Sequence, residues 1–321
     1  MYDAVVTGCA GFVGSHLCEA LTDRGDRVLG IDSLDTYYSP RTKRKNLTAL
    51  EGRTRFTFVR GDVRRIPIRK YLGAETRVYH LAAQPGVRGS WGTSFPRYVT
   101  NNVLATHAIL EALAATRGHP RIVYASSSSV YGETAGGPTS EESPTRPISP
   151  YGMTKLAAEH LVHLYGRERG LSTVSLRFFT VYGPRQRPDM AFHRFFSAVR
   201  ASRPIEVIGD GRQLRDFTYV GDIVSGIVAG GDLDGAGEVF NLGAGSPVPL
   251  RTAIEWVGEA AGAEVAVGYI PAQAGDPKAT WADNRRARRR LRFRPCVDLK
   301  EGLRRQWAWQ GTEGPPAPPP A

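Results

Sequence analysis

Residues 7–16 read TGCAGFVGSH and set Gly8, Gly11 and Gly14 in a G-x-x-G-x-x-G spacing. The run before them, DAVVT, is a short apolar strand pattern, and the run from about 12 to 24 has helical spacing. Glycines at such a junction allow a tight turn, backbone approach to a pyrophosphate and close packing of helix on strand, while the helix N-terminus attracts negative charge. The spacing departs from the G-x-G-x-x-G of the ordinary dinucleotide fingerprint, and a tight turn without a ligand would satisfy it as well.

Outward from this turn, strand-like and helix-like runs alternate: RVLGID, FTFVRG, RVYHLA, a helix from about 94 to 116, RIVYAS, a helix from about 150 to 168, then STVSLRFF. Such alternation predicts right-handed βαβ units and an α/β fold with a doubly wound parallel sheet, with EVFNLG near 240 as one more strand. After LRFF the pattern is broken by GPRQRPD, GDGRQ and GAGSP around a helix from about 190 to 201. We therefore expect a nucleotide-binding Rossmann domain over 1–178, rejoined by about 216–242, and a smaller substrate-binding lobe from 179–215 and 243–311. The final residues, 312–321, are proline-rich and predict a disordered tail.

Asp32, in GIDS at the end of the second strand, lies about 20 residues beyond the glycines, where a carboxylate can accept hydrogen bonds from an adenosine ribose. It would repel a 2′-phosphate, which favours NAD over NADP. The basic TKRK at 42–45 pulls the other way, although a solvated helix face explains it too, and Asp32 could be a mere strand-end cap.

With 321 residues and 41% hydrophobic content the chain can bury a full core. The net charge of +11 is concentrated in RRARRRLRFR, 285–294, where Ala287, Leu291 and Phe293 alternate with arginine as on one amphipathic helix. A solvated helix face accounts for it, and no aromatic-studded basic strand argues for nucleic acid. No run approaches the roughly 20 apolar residues of a spanning helix and the N-terminus lacks a signal-peptide layout, so no membrane role and a cytoplasmic location are expected. Cys9, Cys18 and Cys296 have no metal-ligand spacing, and neither metal nor disulfide is assigned.

Tyr151 and Lys155 in SPYGMTK are four apart, which puts both on one face of a helix that Ser149 can cap and Pro150 can start. A free tyrosine, with a pKa of about 10, is a poor base at neutral pH; a neighbouring ammonium would favour the phenolate. Some two dozen residues upstream stands SSSSVYG, 126–132. Taken with the glycine turn, these motifs resemble an extended short-chain dehydrogenase/reductase, and within that group the NAD-dependent nucleotide-sugar epimerases, over residues 2 to about 310.

The resemblance implies Ser127 as the third catalytic group beside Tyr151 and Lys155. It implies NAD contacts at Gly8, Gly11, Gly14, Phe12, Val13, Asp32, Asp62, Val63, Leu81, Ala82, Ala83 and Asn102, with Tyr151 and Lys155 also holding the nicotinamide ribose. For a UDP-sugar it implies Thr180 against the hexose, amides of Met190, Ala191 and Phe192 on the diphosphate, and Arg187 and Arg215 on phosphate oxygens. Val207 and Ile208, leading into Gly209, would line the uracil, and Asp276 would meet the uridine ribose. A homodimer through the helices near 94–116 and 150–168 is implied in the same way.

Dehydratases of this kind carry Asp-Glu directly after the triad hydroxyl, and Ser128 and Ser129 stand there instead, so 4-epimerisation is expected rather than dehydration. GIDSLDTYYSPRTKR, LRFFTVYGPRQRPDMA and Gln273, where similar hexose epimerases carry arginine, lean towards UDP-glucuronate. Ser128, Ser129 and Thr180 can each donate a hydrogen bond to a sugar carboxylate that an acid pair would repel. UDP-glucose 4-epimerisation is the alternative, then UDP-glucuronate decarboxylation or an NAD-binding regulator without activity.

Overall fold

The computed structural model describes residues 1–118, 120–134, 136–233, 235–271 and 274–312. Six strands, β1 (Ala4–Thr7), β2 (Val28–Asp32), β3 (Phe56–Arg60), β4 (Arg77–His80), β5 (Arg121–Ser127) and β6 (Ser172–Phe178), form one parallel sheet with a seventh, Glu238–Leu242. The seventh strand lies at the edge beside β6, and the order continues β5, β4, β1, β2, β3. Chain direction across the sheet therefore reverses between β1 and β4, which opens a crevice beyond their carboxyl ends.

The central strands are continuous apolar runs because both faces are covered. Leu17, Cys18 and Leu21 of the helix Phe12–Asp23 pack with Ile223, Val224 and Ile227 of the helix Val220–Asp232 on one side. Ile109, Leu110 and Leu113 pack with Ala158 and Val162 on the other. Burying each leucine, isoleucine or valine here contributes about 1.5–3 kcal/mol.

A second core holds the other half together: Tyr182, Phe192, Phe195, Phe196, Val207, Phe217, Ile254 and Leu303 are all buried in it. Its strands are short and paired in twos, Thr180–Tyr182 with Phe217–Tyr219, Leu214–Arg215 with Val248–Pro249, and Ile205–Ile208 with Val267–Ile270. Between the halves sits Asp216, fully buried, whose carboxylate accepts the amides of Ala244 (2.9 Å), Gly245 (3.0 Å) and Ala282 (2.9 Å). Burial pushes its carboxyl up to about 6 even so.

Three expectations change. The predicted helix at 94–116 is interrupted: Phe95–Tyr98 gives way to a π-helical turn, Val99–Leu104, before Ala105–Ala114. That widened turn carries Asn102 inward to hydrogen-bond both backbone groups of Gln84 and the Thr154 hydroxyl. The arginine run is helical only over Arg285–Arg290; Arg292 then takes a left-handed conformation (φ 53°), which turns Leu291 and Phe293 into the sheet's core. Thr312 ends the helix Leu299–Thr312 rather than opening a tail, and 313–321 lie outside the described residues. No helix among the described residues is long and apolar enough to cross a membrane.

Candidate active site

The helix Pro150–Arg169 begins where Ser149 Oγ accepts the Gly152 amide at 3.1 Å. A Cβ on Gly152 would lie 2.5 Å from the Ser129 carbonyl oxygen, so the helix start rests directly against the serine run. This contact brings the two motifs together and sets Ser127 close enough to act on the Tyr151 phenol. Burial raises Tyr151 above the usual tyrosine range, and Ser127 and the Arg187 guanidinium oppose that. The Lys155 ammonium sits 4.3 Å over the Tyr124 ring. Burial pulls it down to about 7, with Glu159 acting in the opposite direction.

Within the serine run each residue has a separate setting. Strand β5 continues through Ser127. Ser126 donates to Glu159 Oε2 at 2.5 Å, and Glu159 forms a buried ion pair with Arg177 on β6. Arg177 in turn donates to the Tyr131 hydroxyl at 2.7 Å, which donates to Asn241 on the seventh strand at 2.7 Å. Ser127 Oγ accepts the Ser129 amide at 3.1 Å. Ser128 and Ser129 occupy a single 3₁₀ turn, Ser128–Val130, half-buried beside Ser127.

A cleft of about 520 Å³ runs from the glycine turn to Tyr151 and Lys155. Gly8, Gly11, Phe12, Val13 and Gly14 line it, as do Asp32, Asp62, Val63 and Leu81 to Ala83. Gly8 is left-handed (φ 74°), and a Cβ there would lie 2.8 Å from the Ala82 amide nitrogen; one on Gly14 would overlap the Gly8 carbonyl. Asp32 is both strand-end cap and cleft wall: its oxygens accept the amides of Leu34 at 2.8 Å and Ala10 at 3.1 Å, and a carboxylate retains room for further donors. Burial raises its carboxyl. Asp62 is held below the usual carboxylate range by Arg64. Asn102 stands behind the wall with its amide engaged, and Asn101 and Ala105 face the cleft instead. Lys43 is buried in the cleft wall, so the TKRK stretch is not simply a solvated face.

The remaining predicted residues lie on the second half. Thr180 opens a short strand and is half-buried, and Arg187 reaches the first cleft, paired with Asp189 at 3.0 Å. The Met190 amide is taken by the Arg187 carbonyl at 3.1 Å, which withdraws it from the expected set. Ala191 and Phe192 supply the first two amides of the helix Ala191–Arg200, which have no acceptor within that helix. A second cleft of about 300 Å³ is lined by Ile208, Gly209, Arg215 and Asp276, whereas the Val207 side chain is buried in the lobe's core. Arg215 pairs with Asp276 at 2.7 Å, and Arg88 approaches the other oxygen of Asp276 at 3.6 Å. Gln273 lies outside the described residues.

The model of the NAD dependent epimerase/dehydratase family matches residues 4–243. The chain belongs to the NAD-dependent epimerase/dehydratase family. Among relatives of this family member is an uncharacterised UDP-glucose epimerase, YtcB, of Bacillus subtilis, 42% identical over 95% of this chain and 96% of its own. UDP-glucuronate 4-epimerase 3 of Arabidopsis thaliana is 39% identical over 96% of this chain and 76% of its own. The crystal structure of UDP-glucuronic acid 4-epimerase from Bacillus cereus, in complex with UDP-glucuronic acid and NAD, superimposes with a TM-score of 0.93 at 41% identity, covering 97% and 99% of the two chains.

NAD is the cofactor of this epimerase/dehydratase family member, and the cleft suits it: a Cβ on Gly8 or Gly14 would strike backbone, so these glycines let the turn that lines the cleft pack tightly, and Asp32 keeps carboxylate capacity facing it. The sequence motifs gave no role to Glu159, Arg177 or Arg88, and held Lys43 and the Tyr37–Tyr38 pair only within stretches read for charge and substrate preference. Of the first three, Glu159 left a signal, since it continues the Tyr151–Lys155 face by one more step of four.

Proposed function

We propose that the chain interconverts UDP-glucuronate and UDP-galacturonate by 4-epimerisation. The observation that carries this is the likeness to the Bacillus cereus enzyme along nearly the whole chain, joined to Ser128 and Ser129 standing directly after Ser127, which acts on Tyr151. When bound, NAD accepts a hydride from C4 of the sugar and returns it to the opposite face. Tyr151 takes the proton of the 4-hydroxyl, assisted by Ser127, and gives it back when the keto group is reduced. Lys155 and Tyr151 hold the nicotinamide ribose, and Asp32 accepts from the adenosine ribose. Asp62, Val63 and Leu81 to Ala83 complete the cofactor wall.

Ser128, Ser129 and Thr180 donate hydrogen bonds to the uronate. Firm orientation of that carboxylate matters because a 4-keto uronate is a β-keto acid and loses CO₂ only from an aligned geometry. Arg187, Arg215 and the amides of Ala191 and Phe192 receive the diphosphate, with Ile208 and Asp276 on the uridine side. The test is the product formed from UDP-glucuronate, separated by sugar-nucleotide chromatography with mass detection. UDP-galacturonate is expected, with kcat/KM above that for UDP-glucose; equal or better turnover of UDP-glucose would transfer the chain to the hexose reading that its Bacillus subtilis relative's name favours.

The reading includes a homodimer and a cytoplasmic location. Leu104 (51% exposed) and Met153 (56%) leave apolar surface on the two helices expected to meet. Cys9 and Cys18, unpaired and buried, accord with a reducing compartment. Replacing both Leu104 and Met153 with Glu is expected to give a monomer in sedimentation velocity.

A further inference from the structure

The DTYYSP stretch has no part in the chemistry above, yet it forms one rim of the first cleft. The Tyr38 hydroxyl is buried, lines that cleft and has no hydrogen-bond partner among the described residues. Its ring is fixed: the Lys43 ammonium lies 4.7 Å above it, itself held by the Asp35 carbonyl at 2.8 Å. Tyr37 crosses the cleft. Its hydroxyl donates at 3.3 Å to Asp189, the partner of Arg187, and a Cβ on Gly86 of the facing loop would lie 2.6 Å from it. Asp35 is further tied to Arg97, and Leu34 is held left-handed (φ 53°), a conformation that leucine adopts only under constraint from its surroundings.

We propose that Tyr37 and Tyr38 form a clasp that retains the cofactor: Tyr38 donates its hydroxyl hydrogen bond to a ribose or pyrophosphate oxygen of bound NAD, and Tyr37 ties the same loop to the opposite wall. A buried hydroxyl without a partner is costly, and an acceptor brought by the ligand removes that cost. The inference rests on the reading of this cleft as the NAD site.

The test follows release of NAD from the loaded full-length protein, after gel filtration, during a chase with excess isotope-labelled NAD. Tyr38→Phe is expected to release NAD about 10-fold faster, and Tyr37→Phe several-fold faster. Tyr269→Phe, in the second half and 62% exposed, is the control and leaves release unchanged. The cofactor-free Tyr38→Phe protein is expected to melt at or slightly above the wild-type temperature, because the unpaired hydroxyl is gone. Release within about two-fold of wild type in both variants overturns the proposal, and so does a lowered melting temperature of cofactor-free Tyr38→Phe. Wild-type protein that takes up no NAD overturns the underlying reading as well, which keeps the two failures apart.

Discussion

The two halves of the site are built on different principles. The nucleotide cleft is made of strand ends in one continuous sheet, and its shape follows from backbone: the turn after β1, Asp32 ending β2, and Leu81 to Ala83 after β4. The sugar-nucleotide side is made of two-stranded fragments and loops held by charge. Arg187 is clamped by Asp189, Arg215 by Asp276, and three amides from two separate segments hang on the Asp216 carboxylate. Backbone geometry is pre-set for a dinucleotide, whereas on the proposed reading each arginine would have to share or leave its carboxylate before serving a phosphate. Specificity on that side is therefore a contest between charges inside the protein and charges on the ligand.

The contrast can be broken first at the chemistry where the halves meet. Tyr151→Phe is expected to lower kcat by about 10³-fold or more while KM stays near wild type, measured by steady-state kinetics on UDP-glucuronate. A variant retaining a tenth of wild-type activity would remove Tyr151 from its role.

The next largest effect belongs to the backbone-built half. Gly14→Ala puts a methyl into the Gly8 carbonyl, and we expect about 3 kcal/mol of lost stability and undetectable NAD uptake, read by denaturant melts and calorimetry. Near-normal binding would mean that the turn yields, contrary to the rigidity argued for it.

On the charge-built half, Ser128→Asp with Ser129→Glu is expected to lower kcat/KM for UDP-glucuronate by about 10- to 100-fold through repulsion of the uronate, with a smaller loss for UDP-glucose. Equal losses on both substrates would separate these serines from carboxylate recognition.

The smallest effect concerns Lys155. Its folded-state pKa, about 7, lies below that of the unfolded chain, so the unfolded state binds more protons between pH 7 and about 10.5 and stability rises with pH across that window. The burial penalty is complete below pH 7. Lys155→Met is expected to stabilise the cofactor-free protein by about 1 kcal/mol at pH 6, the Tyr124 ring contact offsetting part of the burial cost, and by nothing near pH 10.5. A pH-independent difference between the melting curves would show that Lys155 is not desolvated.

Sequence reading recovered the first half well because its signals are local. Glycine spacing, the carboxylate ending β2 and the Tyr–Lys step of four are fixed by turn and helix geometry, and all reappear along one cleft. It fared worse where position depends on partners far along the chain. Met190 looked like a free amide until the Arg187 carbonyl took it, and Lys43 looked solvated until the loop bearing Asp35 closed over it. The buried chain from Ser126 through Glu159, Arg177 and Tyr131 to Asn241 joins four separate elements, which no sequence window contains. The Arg285–Arg290 helix ended early for a related reason, since Leu291 and Phe293 follow the sheet's core rather than helical period.

Gly152 sits at the seam between the helix start and the serine run. With only hydrogen on its inner face, the helix start that carries Tyr151 can settle onto the Ser129 carbonyl, two residues from Ser127. The spacer between the proposed proton acceptor and the serine run is thus a missing side chain. Any effort to recut Ser128 or Ser129 for another sugar must leave residue 152 empty, or the pocket will be reshaped around an acid–base pair that no longer meets.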